Sequence, residues 1–101
     1  MTERHPPQDC ADMPALRQQI DRLDRDLIAM LAERAGYIDR AIALKTDNGW
    51  PARIPARVEE VVMNARTMAD TAGLDPDLIE TLWRQLVEWS IAREARVIRE
   101  D

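Results

Sequence analysis

The sequence has little of what most catalytic and metal centres are built from. Its 101 residues include one cysteine, Cys10, and one histidine, His5. A lone cysteine forms no intramolecular disulfide. With a single histidine beside it, the chain offers no structural zinc set, no Cys–His pair and no Ser–His–Asp triad. Phenylalanine is absent, aromatics make up 4%, and the three glycines form no Gly-rich stretch. β-branched clusters are few as well, so an all-β fold is disfavoured. A formal net charge of −5 argues against a nucleic-acid partner, which would attract a basic face, although it leaves room for a local cationic pocket. No apolar run approaches the ~20 residues that cross a bilayer. Residues 1–13 contain no apolar segment of a secretory signal, so a cytoplasmic location with no membrane partner is expected.

Hydrophobic residues at 46% and charged residues at 33% supply both a core and a solvated surface for one small domain. A monomer of this length buries a modest fraction of its surface, so oligomerisation would add stability. Residues 1–12, around His5-Pro6-Pro7, read as a flexible leader, and residues 13–101 as a helical domain. Asp12 supplies an N-cap and Pro14 a first-turn proline. Leu16, Ile20, Leu23, Leu27, Leu31, Arg34, Ile38, Ala41 and Lys45 then recur at helical spacing, and Gly36 weakens that helix without ending it. Thr46 to Pro51 is turn chemistry. A second helix is expected over Pro55 to Ala72, with Val58, Val61, Val62, Ala65, Met68 and Ala69 on one side and Gly73 closing it. Asp75-Pro76 opens a third helix to about Ile98, with Leu78, Ile79, Leu82, Trp83, Leu86, Val87, Ser90 and Glu94 along its stripe. The expected fold is all-α, a three-helix protomer with one long N-terminal helix.

The lengths matter. A first helix of roughly 32 residues would run ~48 Å, whereas a second of roughly 18 spans only ~27 Å. Neither partner helix covers the whole apolar stripe of the first, and soluble monomers avoid large bare apolar patches. An intertwined helical homodimer is the simplest remedy.

Several charged residues sit on apolar stripes. Lys45 is the only lysine beside thirteen arginines, and its neighbours at helical spacing are Ile38 and Ala41. Arg34 follows Leu27 and Leu31, and Glu94 lies one turn after Ser90. A buried cation needs a partner or an anionic ligand, since desolvation otherwise costs several kcal/mol. Each position also has a plain structural explanation. Arg34 can snorkel or pair, Lys45 can answer a helix C-terminus, and Glu94 can pair with either cation. Arg17 borders its stripe and reads, on periodicity alone, as a surface residue. Trp50, Trp83 and Trp89 read as core or interface anchors.

As a set these residues are more specific. Leu16-Arg17-Gln18-Gln19-Ile20-Asp21-Arg22-Leu23-Asp24, then Leu31-Ala32-Glu33-Arg34, then Lys45, resembles the AroQ-class (type II, all-helical) chorismate mutases. Ile54-Pro55-Ala56-Arg57-Val58, Gly73-Leu74-Asp75 and Trp89-Ser90-Ile91-Ala92 extend the likeness over roughly Asp9 to Arg99. Asp9-Cys10 resembles the leader of the isochorismate-pyruvate lyase branch. The resemblance implies a three-helix protomer in an intertwined dimer, acting on a dianionic small molecule in chorismate, aromatic amino acid or salicylate metabolism. It implies that Arg34 and Arg57 bind substrate carboxylates, with Arg17 doing so from the neighbouring subunit and Ser90 also at the substrate. Lys45 and Glu94 would flank the ether oxygen of the breaking C–O bond. Helix geometry agrees on Arg17, which would lie ~25 Å from Arg34 along one helix, too far for one small substrate to bridge.

The implied reaction, chorismate to prephenate, is a concerted pericyclic shift with no nucleophile, metal or cofactor. It asks for a held conformer and for donors at the oxygen where negative charge grows. Arginine forks suit the carboxylates. Two departures from the family pattern stand out. Many mutases have Gln where this chain has Glu94, and a carboxyl must be protonated to replace an amide donor, which predicts activity that strengthens toward acid pH. Simple mutases also place acidic residues around the Arg57 position, where this chain has apolar Ile54 and Val58. That change favours the alternative of an isochorismate-pyruvate lyase giving salicylate and pyruvate, while Ser90 is the residue many mutases carry. The remaining alternatives are an amino-substituted chorismate substrate, one protein carrying both activities, and a catalytically weak helical dimer.

Overall fold

The computed structural model describes residues 4–98. Three α-helices follow one another, α1 over Met13–Asn48, α2 over Pro55–Thr71 and α3 over Pro76–Ala95, and no strand occurs among the described residues. The all-α, three-helix expectation is therefore met. Residues 99–101, at the end of the expected helical domain, lie outside the described residues, as do residues 1–3 of the leader.

Each helix begins and ends for identifiable reasons. The Asp12 carboxylate accepts a hydrogen bond from the Ala15 amide at 2.9 Å, so α1 has the expected side-chain cap. Its C-terminus lies three residues beyond Lys45, because Thr46, Asp47 and Asn48 are turn formers only by preference and do not force the chain out of the helix. What ends α1 is Gly49 at φ +70°, a left-handed residue. The Gly49 amide donates to the Thr46 carbonyl and the Trp50 amide to the Lys45 carbonyl at 2.8 Å, which together form a Schellman motif. Gly73, at φ +75°, repeats that closure after α2, with Leu74 donating to Ala69. α2 starts on Pro55 behind an extended Ile54, as a residue before proline prefers. α3 starts on Pro76, with Asp75 accepting from the Asp77 amide at 2.9 Å.

The chain divides into two compact units at Tyr37/Ile38, within α1. In the first unit, residues 7–9 form a 3₁₀ turn, Arg4 pairs with Asp26, and the His5 amide donates to the Gln19 side chain. α1 buries no side chain. Leu23, Leu27 and Leu31 of its apolar stripe are all exposed, Leu27 at 46%, and so is Ile28 beside the stripe.

The second unit contains the end of α1 with α2 and α3, and α2 packs on α3. α2 buries Val62, Ala65 and Ala69 and α3 buries Val87, Ser90 and Glu94, both sets spaced i, i+3, i+7 and so each on one face of its helix. Small residues on the α2 side allow the backbones to approach closely. Val62 is fully buried and contributes about 1.5–2 kcal/mol through apolar burial. Met68, expected on the α2 stripe, is instead 60% exposed, since the seam follows positions 62, 65 and 69. Leu78 and Leu82 of α3 are exposed for the same reason. Beside the apolar seam runs a chain of ion pairs. Arg66 on α2 reaches Asp77 and Glu80 on α3, and Arg84 on α3 reaches Glu80 and returns to Glu59 on α2. Among the described residues no helix is long and apolar enough to cross a membrane.

Candidate active site

The buried charge of the second unit is concentrated where the end of α1 meets the end of α3. Lys45, in the last turn of α1, places its Nζ 3.1 Å from Glu94 Oε1 and 3.3 Å from Oε2. The same ammonium donates to the Ala52 carbonyl at 2.8 Å. The Glu94 side chain is 5% exposed and that of Lys45 18%, so water screens the pair little. The local logic is electrostatic. Glu94 is the penultimate residue of α3, where helix carbonyls already concentrate negative potential, so an anion there is stable only with a cation close by. Lys45 supplies that cation, and its own helix end favours it. An ammonium has three N–H donors. Among the described residues Ala52 and Glu94 engage two of them, which leaves one to direct at a ligand.

Around this pair the α1 tail and the following loop are tied to α3 by arginines. Arg93 Nε and Nη2 donate to Asp39 at 2.6 and 3.0 Å, a bidentate contact that holds the Asp39 carboxyl below the usual carboxylate range. The Arg93 guanidinium also lies over the Trp89 ring, 5.3 Å from its centroid. Arg53, in the loop between α1 and α2, makes a second bidentate pair with Glu88 at 2.9 and 2.6 Å. Its guanidinium hydrogen bonds keep the Glu88 carboxyl low in the same way. Ser90, buried one turn before Glu94, donates its hydroxyl to the Leu86 carbonyl at 2.9 Å. A cavity of about 300 Å³ opens beside Lys45, walled by Trp50, Pro51, Val97 and Ile98.

Of the residues singled out from the sequence, the fold brings Lys45 and Glu94 into contact, with Ser90 on the same buried stripe of α3 as Glu94. Arg57 sits in the first turn of α2 with an exposed side chain paired to Glu60. Arg17 and Arg34 belong to the first compact unit, Arg17 exposed and Arg34 half-buried on α1. The rise of that helix sets them ~25 Å apart. Trp50 and Trp89, expected as core or interface anchors, are not in the core. Trp50 is 54% exposed at the cavity, Trp89 is 50% exposed beneath Arg93, and Trp83 is half-buried.

Sequence reasoning passed over Ala52, Arg53, Asp39 and Glu88. A backbone carbonyl leaves no mark in a sequence. Arg53 and Glu88 lie 35 residues apart, and no helical spacing links them.

The profile of the type II chorismate mutase family matches residues 16–95. The chain is 32% identical over 96 residues to the isochorismate pyruvate lyase of Pseudomonas aeruginosa, covering 93% of this chain and 92% of that protein. It is 33% identical over 84 residues to the T-protein of Enterobacter agglomerans, and 35% identical over 79 residues to that of Haemophilus influenzae. Those stretches cover 83% and 78% of this chain but only 22% and 21% of the T-proteins. Lys45, Arg57, Ser90 and Glu94 all fall within the matched span, on a three-helix fold of the expected kind. The chain therefore belongs to the type II chorismate mutase family and is an enzyme of that class.

Proposed function

We propose that the protein rearranges chorismate to prephenate. The observation that carries this reading is the buried Lys45–Glu94 pair, with one ammonium N–H still to direct at a ligand. The rearrangement breaks a C–O bond while a C–C bond forms elsewhere in the same ring of electrons, so no nucleophile has to be supplied. Negative charge grows on the ether oxygen, and Lys45 meets it with a donor already oriented by Ala52 and Glu94. Glu94 contributes a second donor only in its protonated form. As a carboxylate it positions Lys45 and opposes the developing charge.

The carboxylates of the substrate fall to arginines. Arg34 and Arg57 take them, Arg57 exchanging Glu60 for the ligand, and Arg17 comes from a second copy. The exposed apolar stripe of α1 supports that arrangement, because a second copy of the helix covers Leu23, Leu27 and Leu31 while bringing a partner arginine alongside. The dimer is thus part of the proposed site.

A second reading is favoured by the likeness to an isochorismate pyruvate lyase along 92% of that protein's length. The apolar Ile54 and Val58 flanking Arg57 favour it too, since they offer no acceptor for a chorismate hydroxyl. The deciding experiment offers chorismate and isochorismate separately to the purified protein from pH 5 to 8. Prephenate from chorismate supports the mutase. Salicylate and pyruvate from isochorismate at much higher efficiency replace it with the lyase. No turnover of either rejects both and leaves a helical dimer with a weak or silent site.

A further inference from the structure

The loop between α1 and α2, residues 49–54, carries one of the two groups that Lys45 touches. Its Ala52 is 4% exposed, and the Ala52 carbonyl accepts the ammonium at 2.8 Å. That oxygen belongs to the peptide plane joining Ala52 to Arg53, so the backbone of Arg53 sets the direction in which it points. The Arg53 side chain is in turn clamped to Glu88 by two parallel N–H···O contacts of 2.9 and 2.6 Å. A two-point contact restrains rotation as well as distance, which a single hydrogen bond does not. Glu88 and Glu94 lie on the same helix, six residues apart. α3 therefore holds Lys45 twice, directly through Glu94 and indirectly through Glu88, Arg53 and the Ala52 carbonyl.

We propose that Arg53 and Glu88 are positioning residues for Lys45: their ion pair straps the 49–54 loop to α3 and so aims the Ala52 carbonyl that orients the ammonium. Neither residue touches the reacting atoms. Their catalytic meaning rests on the function proposed above, but the strap is a statement about Lys45 and the loop that can be tested without any substrate. The side chains of Arg53 and Glu88 are 47% and 57% exposed, so the strap is worth no more than an exposed ion pair. It tunes the site and does not hold the fold.

Because Lys45 is the only lysine in the chain, protein labelled with ¹³C,¹⁵N-lysine gives one side-chain signal, an unambiguous reporter. The full-length protein is compared with Arg53→Glu, Glu88→Arg and the double charge reversal. Each single variant is expected to shift the Lys45 ε-methylene signal and to speed amide exchange in residues 50–54. Each should also lower kcat by about two- to fivefold, the range an exposed ion pair commands, with a smaller change in KM. The double reversal should return all three toward wild type. Where a charge-reversed single variant loses its helical signal, Arg53→Gln and Glu88→Gln take its place. An unmoved Lys45 signal and unchanged loop exchange in the single variants overturn the proposal, as does a double variant that restores nothing. If signal and exchange respond and recover while the wild-type protein turns over neither chorismate nor isochorismate, the strap stands and the catalytic reading falls.

Discussion

Glu94 lies against Lys45 with both carboxylate oxygens within 3.3 Å of the ammonium, on the face of α3 that also buries Val87 and Ser90. A lone carboxylate at the end of α3 would be unstable there, and a lone ammonium only somewhat less so. Their contact satisfies both charges and leaves the pair poised beside a cavity. In a pericyclic reaction such a pair has two separable tasks, holding the donor and supplying one.

Replacing Glu94 by glutamine separates those tasks. An amide keeps an acceptor for Lys45 and donates an N–H at every pH. Chorismate turnover at pH 7 is expected to rise by on the order of tenfold, a fraction of what a single oxyanion donor is worth. Steady-state kinetics of both proteins from pH 5 to 8 check this, and an unchanged neutral rate removes Glu94 from the donor role.

Removing Lys45 should hurt both activity and stability, for different reasons. Lys45→Met is expected to lower kcat/KM by about a hundredfold or more through the lost donor. It should also cost roughly 1–3 kcal/mol by leaving the Glu94 carboxylate buried without its cation. The double variant Lys45→Met/Glu94→Leu should recover the stability and none of the activity. Chemical denaturation beside product assays separates the two effects, and recovery of activity in the double variant would falsify the catalytic assignment.

The bare stripe of α1 predicts the oligomeric state. The wild-type protein should sediment as a dimer, and Leu27→Asp should shift it to a monomer that has lost turnover, because Arg17 no longer arrives from a partner. Analytical ultracentrifugation decides this directly. A Leu27→Asp monomer that still works would place the whole site in one chain.

Acid should loosen the α2·α3 contact. Hydrogen bonds from Arg84 hold the carboxyls of Glu59 and Glu80 below their usual range, and Arg53 does the same for Glu88. A carboxylate lowered in the folded state stabilises it above the unfolded carboxylate range, and that contribution disappears as pH falls through the lowered value. Stability should therefore be level from neutral pH to about 5 and decline below it. Glu80→Gln, which removes the acceptor shared by Arg66 and Arg84, should flatten that decline and lower the melting temperature at pH 7. Thermal melts across the range check both, and a slope unaltered by Glu80→Gln would exclude this network as its origin.

Much of the architecture was legible in the residues because it depends on local chemistry. Asp12 and Asp75 cap their helices as expected, Pro55 and Pro76 sit in first turns, and Gly73 closes α2 in a left-handed conformation. The α1 terminus moved from Lys45 to Asn48 because a glycine at positive φ ends a helix more decisively than polar residues before it. Lys45 and Glu94 were visible as charges out of place on apolar stripes. Their contact was one of several pairings the sequence allowed, since stripe position says which residues turn inward and not which of them meet across 49 residues of chain. The Ala52 carbonyl, the Arg53–Glu88 strap and the Asp39–Arg93 clamp were decided only by tertiary structure. Helix capping and periodicity act over three or four residues, whereas these contacts exist only once helix packing has brought separate segments within hydrogen-bonding distance.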